Sequence, residues 1–272
     1  MLNLESVWAD SLPSPPRSDY RIGIIGAGFI VRDVQLVAYQ NAGFDVVAIA
    51  SRTPEVARTV ANLRGIPRVY DSYEELLFDS DIEIVDIAIP PANQIEVIRK
   101  VVAQTSHVKG ILAQKPLAMN FAEACEAVAL CESSGIKLAV NQNMRYDPSI
   151  RAAKALLRAG YLGEPVFATI EMRAVPHWQT WLEDYGKLTL LNMSVHHLDC
   201  FRFLLGNPES VYASARTDPR TRFAHRDGMK SPAATTWIRW LWWMRVTCRS
   251  TSTGPFGLTK SGQARNPTSP YR

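Results

Sequence analysis

Arg21-Ile22-Gly23-Ile24-Ile25-Gly26-Ala27-Gly28-Phe29-Ile30-Val31 reads as a short buried strand, a glycine turn and the first residues of a helix. Gly26 and Gly28 take the first two places of the G-x-G-x-x-G fingerprint. The first such glycine lets the chain turn tightly. The second lets a pyrophosphate approach backbone N–H groups at a helix N-terminus, where the helix dipole favours negative charge. Val31 stands at the third glycine position, so the match covers two places of three.

Working outward, Ile30, Val34, Val37 and Ala38 recur at helical spacing to about Asn41, and Gly43 fits a stop. Asp45–Ala50 is a β-branched run, and Pro54 opens a helix to about Arg64 at its favoured first position. Val69-Tyr70 is a minimal strand. Ser72 stands three residues before Glu75, the capping-box spacing, and heads a helix through Phe78. Ile82–Ile89 is a fourth strand closed by Pro90-Pro91, with a helix to about Gln104. Val108–Ala113, a helix over Phe121–Ser133 and a strand over Lys137–Asn141 complete the pattern. Strands alternating with helices in this way require right-handed crossovers and a parallel sheet covered on both faces. The expected fold is α/β: a Rossmann doubly wound sheet over 21–144, after a flexible segment over 1–20.

From Asp147-Pro148 the pattern changes. A helix over Ser149–Ala159 precedes an alternating run, Pro165–Ala174, expected as a sheet strand. An aromatic loop (Trp178, Trp181, Tyr185), an amphipathic helix over Ser194–Leu205 and a strand over Ser210–Ala215 follow. This predicts an α+β second domain over 145–227 for substrate and oligomer contacts.

Composition narrows the function classes. The net charge of +4 hides an asymmetry: from Gly228 to Arg272 there are seven Lys/Arg and no Asp or Glu, leaving the chain to Asp227 at about −3. That is no nucleic-acid footprint. No apolar run reaches membrane-span length, and the first twenty residues lack a signal-peptide core, so a cytoplasmic protein is expected. Cys125, Cys131, Cys200 and Cys248 form no C-x-x-C pair, which argues against a metal site or a disulfide framework.

Three places bear on chemistry. At the end of the second strand, where an NAD site usually carries Asp or Glu, the chain has Ser51-Arg52. A hydroxyl and a guanidinium suit a 2′-phosphate, so NADP is favoured over NAD; the alternative is a solvated Arg52 and loose selectivity. Gln114-Lys115-Pro116 follows the fifth strand, at the sheet edge where ligands of doubly wound folds lie. Lys115 is either placed towards a nicotinamide or an ordinary surface lysine. Asn192-Met193-Ser194-Val195-His196-His197-Leu198-Asp199 sets Asn192 and His196 four apart, on one face if both are helical. His196 has the chemistry of a general acid or base, and Asp199 could orient it. The alternative is a capping segment with Asp199 paired elsewhere.

Taken together, GIIGAGFI, AIPPANQ (Ala88–Gln94), QKPLA, NQNMRYDP (Asn141–Pro148) and SVHHLDCFRFLLG (Ser194–Gly206) resemble the glucose-fructose oxidoreductase, inositol dehydrogenase and MocA-like family of NAD(P)-dependent oxidoreductases. The resemblance covers roughly Arg21 to Asp227. It implies reversible hydride transfer between a nicotinamide and a sugar, cyclitol or related polyol, with Lys115, His196 and Asn192 as the catalytic set. It implies cofactor contacts from Gly26, Gly28, Phe29, Ile30, Ser51, Arg52, Ala88, Pro90, Gln94, Gln114, Lys115 and Arg145. The family's usual E-K-P glutamate falls on Gln114 and its usual aspartate on Asn192; both are amides here, so two carboxylates that would tune Lys115 and His196 are absent. A catalytically impaired or regulatory nucleotide-binding member is the alternative.

The resemblance also implies further strands and a homo-oligomer built on them. Instead Trp237–Trp243 packs four of the seven tryptophans together, and the residues to Arg272 show no strand or helix period. The expectation is an altered C-terminal end over 228–272, such as out-of-frame coding; the alternative is a basic, Trp-rich interaction tail.

Overall fold

The computed structural model describes residues 17–172, 190–213, 222–224 and 230–234. Six parallel strands form one sheet in the order β3-β2-β1-β4-β5-β6: β1 (Arg21–Ile25), β2 (Asp45–Ala50), β3 (Arg68–Tyr70), β4 (Ile84–Ile87), β5 (Gly110–Ala113) and β6 (Lys137–Val140). The order reverses at β1, and the crevice there opens beside the glycine turn.

The connecting helices start and stop where local chemistry directs. α1 is a π turn (Val31–Gln35) that runs into the α-helix Leu36–Asn41. α2 (Pro54–Arg64) has proline in its first turn and ends on Gly65 in the left-handed region. α3 (Tyr73–Leu77) is capped by Ser72, whose Oγ accepts the Glu75 N–H at 3.2 Å. α4 (Pro91–Gln104) follows the paired prolines, and the Asn120 side chain caps α5 (Phe121–Ser133). Two apolar clusters fill the two sides of the sheet. One is centred on Ile82, Val85, Ile87, Ile98 and Ile111; the other, on Ile24, Leu36, Ile49 and Val60. Burying each such side chain contributes about 1.5–3 kcal/mol. Val31, at the third fingerprint position, is part of the second cluster.

The two fingerprint glycines serve different ends. Gly26 has φ 120°, and a Cβ there would lie 2.3 Å from the Ala88 carbonyl oxygen. Only glycine lets the turn after β1 pass this close to the loop after β4. Gly28 is at negative φ with nothing within 4 Å of its would-be Cβ. Neither its backbone nor its neighbours require glycine, so the open space above it is what a ligand would use.

Beyond the sheet, a 3₁₀ turn (Asn143–Tyr146) leads into α6 (Pro148–Arg158). α7 is a π turn (Leu190–Ser194) continued by the α-helix Val195–Leu205, which packs on α6 and on the 3₁₀ turn. The strand expected over Pro165–Ala174 is corrected: its described part, 165–172, has no regular structure, and Val166 and Phe167 are 98% and 71% exposed. Residues 210–213 of the strand expected over Ser210–Ala215 are likewise unpaired. Alternation of side chains specifies a face, but a strand also needs a neighbour for its N–H and C=O groups. None lies alongside either run among the described residues. An antiparallel hairpin of β7 (Arg222–Ala224) and β8 (Lys230–Ala234) spans the point where the sequence pattern breaks; Pro232 inside β8 masks it as a strand signal. Trp178, Trp181, Tyr185 and the 237–272 tail lie outside the described residues.

A buried polar cluster ties α1 to the sheet. Asp86, in the middle of β4, is fully buried, and its Oδ2 accepts from Gln35 Nε2 at 3.0 Å and from the Tyr39 hydroxyl at 2.8 Å. Asp86 Oδ1 and Gln35 Oε1 have no partner. Burial pushes the Asp86 carboxyl up from 3.8 to about 7, against the opposing pull of the Tyr39 and Gln35 hydrogen bonds. A proton on the acid turns one orphaned acceptor into a donor, which is why the neutral form suits this place.

Two outcomes follow from these contacts. Gly26→Ala should destabilise the protein by about 2 kcal/mol or more, whereas Gly28→Ala should shift stability by no more than about 0.5 kcal/mol, both read from urea unfolding. Between about pH 4 and 7 Asp86 is protonated when folded and ionised when unfolded, so its contribution is fullest below about pH 4 and is lost as pH rises through about 7. Asp86→Asn should flatten that part of the stability–pH curve; an unchanged slope would rule out a neutral Asp86.

Candidate active site

The residues singled out from sequence gather along the carboxyl edge of the sheet. The Gly26–Gly28 turn follows β1, with the Gly26 N–H on the Ala50 carbonyl at 2.8 Å and the Ala88 N–H on the Ile25 carbonyl at 2.8 Å. These bonds bring the ends of β1, β2 and β4 to one place. Phe29 and Ile30, at the entry to α1, are 60% and 43% exposed despite being apolar. Pro90 is exposed and Ala88 half-buried in the loop after β4. Ser51 is half-buried after β2. Arg52 beside it is exposed and makes no hydrogen bond or ion pair with any described residue.

After β5 comes the loop Gln114–Lys115–Pro116–Leu117, with a cis bond between Lys115 and Pro116. Gln94, on α4, lies wholly buried beneath it. Its Nε2 donates to the carbonyls of Gln114 at 3.0 Å and Pro116 at 2.9 Å, and its Oε1 accepts the Gln114 N–H at 2.8 Å. One amide thus saturates both sides of the loop. Gln94 acts on the site through this backbone, a role that the sequence alone had not distinguished from cofactor contact.

Lys115 reaches across to α7. Its Nζ donates to the Asn192 carbonyl at 2.9 Å and to Asn192 Oδ1 at 3.1 Å. Burial lowers the ammonium to about 8, within range of proton transfer near neutral pH. His196 is buried one turn on, and its Nδ1 has no partner among the described residues. Burial, then the positive charges of Lys115 and His197, lower it to about 4, with Asp199 opposing. At neutral pH His196 is therefore a neutral hydrogen-bonding ring. Asp199 does not orient it. Its carboxylate receives a bidentate grip from Arg145, Nε to Oδ2 at 2.6 Å and the second amino group to Oδ1. Arg145 also lies over the Phe203 ring, 5.4 Å from its centroid. The pairing of Arg145 with Asp199, fifty-four positions on, had no sequence signal.

Three buried polar atoms near this edge have no partner among the described residues: Gln114 Nε2, Gln142 Oε1 and His196 Nδ1. Buried donors and acceptors are normally satisfied. With the open space over Gly28, they fit a polar ligand such as a dinucleotide and its substrate.

A switch-point crevice over a glycine turn, with a half-buried lysine and a buried histidine beside it, defines a dinucleotide-binding Rossmann scaffold. The chain belongs to the GFO/IDH/MocA oxidoreductase family. Residues 20–142 match its model for "Oxidoreductase family, NAD-binding Rossmann fold" and residues 150–236 match its C-terminal domain. D-apiose dehydrogenase of Rhizobium rhizogenes is 29% identical over 73% of this chain and 58% of its own. The 1,5-anhydro-D-fructose reductase of Ensifer adhaerens is 32% identical over 69% and 57%. An oxidoreductase from Agrobacterium radiobacter, solved with NAD+, L-tartaric acid and magnesium, superposes with TM-score 0.64 at 26% identity over 80% and 68%. The chain spans a little over half the length of these curated relatives. Among the described residues no helix is long and apolar enough to cross a membrane.

Asn192→Asp would set a carboxylate against the Lys115 ammonium. Its titration should rise above the value of about 8 that burial imposes, as followed by NMR of the lysine Nζ or a pH–rate profile. A profile unmoved by the change would exclude Lys115 from the titrating set.

Proposed function

We propose that this protein is an NAD(P)-dependent oxidoreductase that interconverts a secondary alcohol and a ketone on a sugar, cyclitol or related polyol. The observation that carries the reading is the Lys115–Asn192 contact, which joins the sheet edge to α7 beside His196. Residues 21–144 serve the dinucleotide, and 145–227 the substrate and a homo-oligomer contact. The turn at Gly26 and Gly28, with Phe29, Ile30, Ala88, Pro90, Gln114 and Arg145, would hold the cofactor. Ser51 and Arg52, which pairs with no described residue, favour NADP, because a guanidinium can pair a 2′-phosphate. When bound, the nicotinamide supplies the redox chemistry, acting at its ring carbon C4.

Lys115 moves the hydroxyl proton: its Nζ is held by two neutral oxygens and titrates near neutral pH. His196, neutral, accepts or donates a hydrogen bond that orients the alcohol. The cytoplasm, with its soluble dinucleotide pool, is the compartment this activity needs. The amides at Gln114 and Asn192 favour a second reading, a nucleotide-binding member without turnover.

The test is cofactor binding by fluorescence together with turnover on a polyol panel. NADPH should bind more tightly than NADH, and Arg52→Asp should reverse the order. Lys115→Ala and His196→Ala should each lower turnover by about 100-fold or more while binding persists. Binding without turnover in the unmodified chain would support the second reading; activity untouched by both substitutions would overturn the site.

A further inference from the structure

The charge around Lys115 is unbalanced. Several cations of the described residues meet carboxylates, among them Lys100 on Glu74, Lys109 on Glu83 and Arg145 on Asp199. Among the described residues Lys115 meets only the two neutral oxygens of Asn192. Its ammonium has three protons, two of which those oxygens accept, so one remains. Asp199, the acid on the facing helix, is closed in its bidentate pair with Arg145. A half-buried cation without a counter-ion costs free energy that an anion would return. The residue beside it, Gln114, carries a buried Nε2 donor, and Gln142, after the neighbouring strand β6, a buried acceptor, neither with a partner among the described residues.

We propose that the site selects an anionic substrate, a polyhydroxy carboxylate whose acid group stands next to the reacting carbinol. The carboxylate accepts from Gln114 Nε2 and balances the Lys115 charge. The remaining Lys115 N–H meets the reacting oxygen, and a further hydroxyl donates to Gln142 Oε1. A glutamate at 114 would repel such a substrate and remove its donor; the amide there is the specificity determinant. The inference rests on the oxidoreductase reading for the reaction, but binding alone tests it.

The probes are gluconate and glucitol, matched except for the carboxylate. They are titrated calorimetrically into the full chain with NADPH or NADH present, and nicotinamide absorbance is followed in parallel. Gluconate should bind at least about tenfold more tightly than glucitol, the scale of one charge-assisted hydrogen bond. Gln114→Glu should abolish that preference, and Gln114→Leu, which removes the donor without adding charge, should weaken gluconate less. Equal binding, stronger glucitol binding, or no binding of either overturns the proposal. Preference for gluconate without oxidation upholds it and overturns the oxidoreductase reading; turnover of glucitol with no acid preference does the reverse.

Discussion

The ammonium of Lys115 donates to both oxygens of Asn192, seventy-seven positions along the chain, and the candidate site depends on that contact. It is where the carboxyl edge of the parallel sheet meets the π turn of α7. The burial that follows sets the chemistry: the same desolvation that brings Lys115 down towards neutral pH holds His196 neutral. Two residues that would titrate closer to their ordinary values in water are thereby moved apart from them, the lysine down towards neutral pH and the histidine well below it.

Precision at the site comes from residues that need not touch a ligand. Gln94 saturates the backbone of the loop before and after Lys115, so the lysine stem leaves a fixed base. Asp86 secures α1 to β4 through Gln35 and Tyr39, and α1 begins immediately after the glycine turn. Gly26 allows the β1 turn to close on Ala88. Each is a buried polar or steric constraint, and each acts by limiting where backbone can go.

Local chemistry made much of the fold legible. The β-branched run Asp45–Ala50, the proline-headed helix Pro54–Arg64 and the Asn120-capped helix Phe121–Ser133 fall where pattern and caps place them. Lys115 and the Asn192/His196 pair stood out in the sequence, and the structure joins Lys115 to Asn192 across the sheet edge. Less legible were features whose cause lies elsewhere in the chain. The runs at 165–172 and 210–213 alternate as strands do, yet ladder partners are supplied by other segments, and no described strand forms a ladder with them. The short strand β8 contains a proline and gave no signal of its own.

Periodicity, caps and glycine turns act within a few residues, so the string of side chains already specified the parallel sheet, its order of helices and the crevice above Gly28. Which groups pair across that crevice was decided by folding. Nothing in the sequence distinguishes an Asp199 facing His196 from one gripped by Arg145, or a Gln94 touching a ligand from one bracing the lysine loop. Those choices turn on burial and on distances between segments far apart in the chain. Desolvation and hydrogen-bond satisfaction are properties of packed neighbours, and they come into being only when the segments meet.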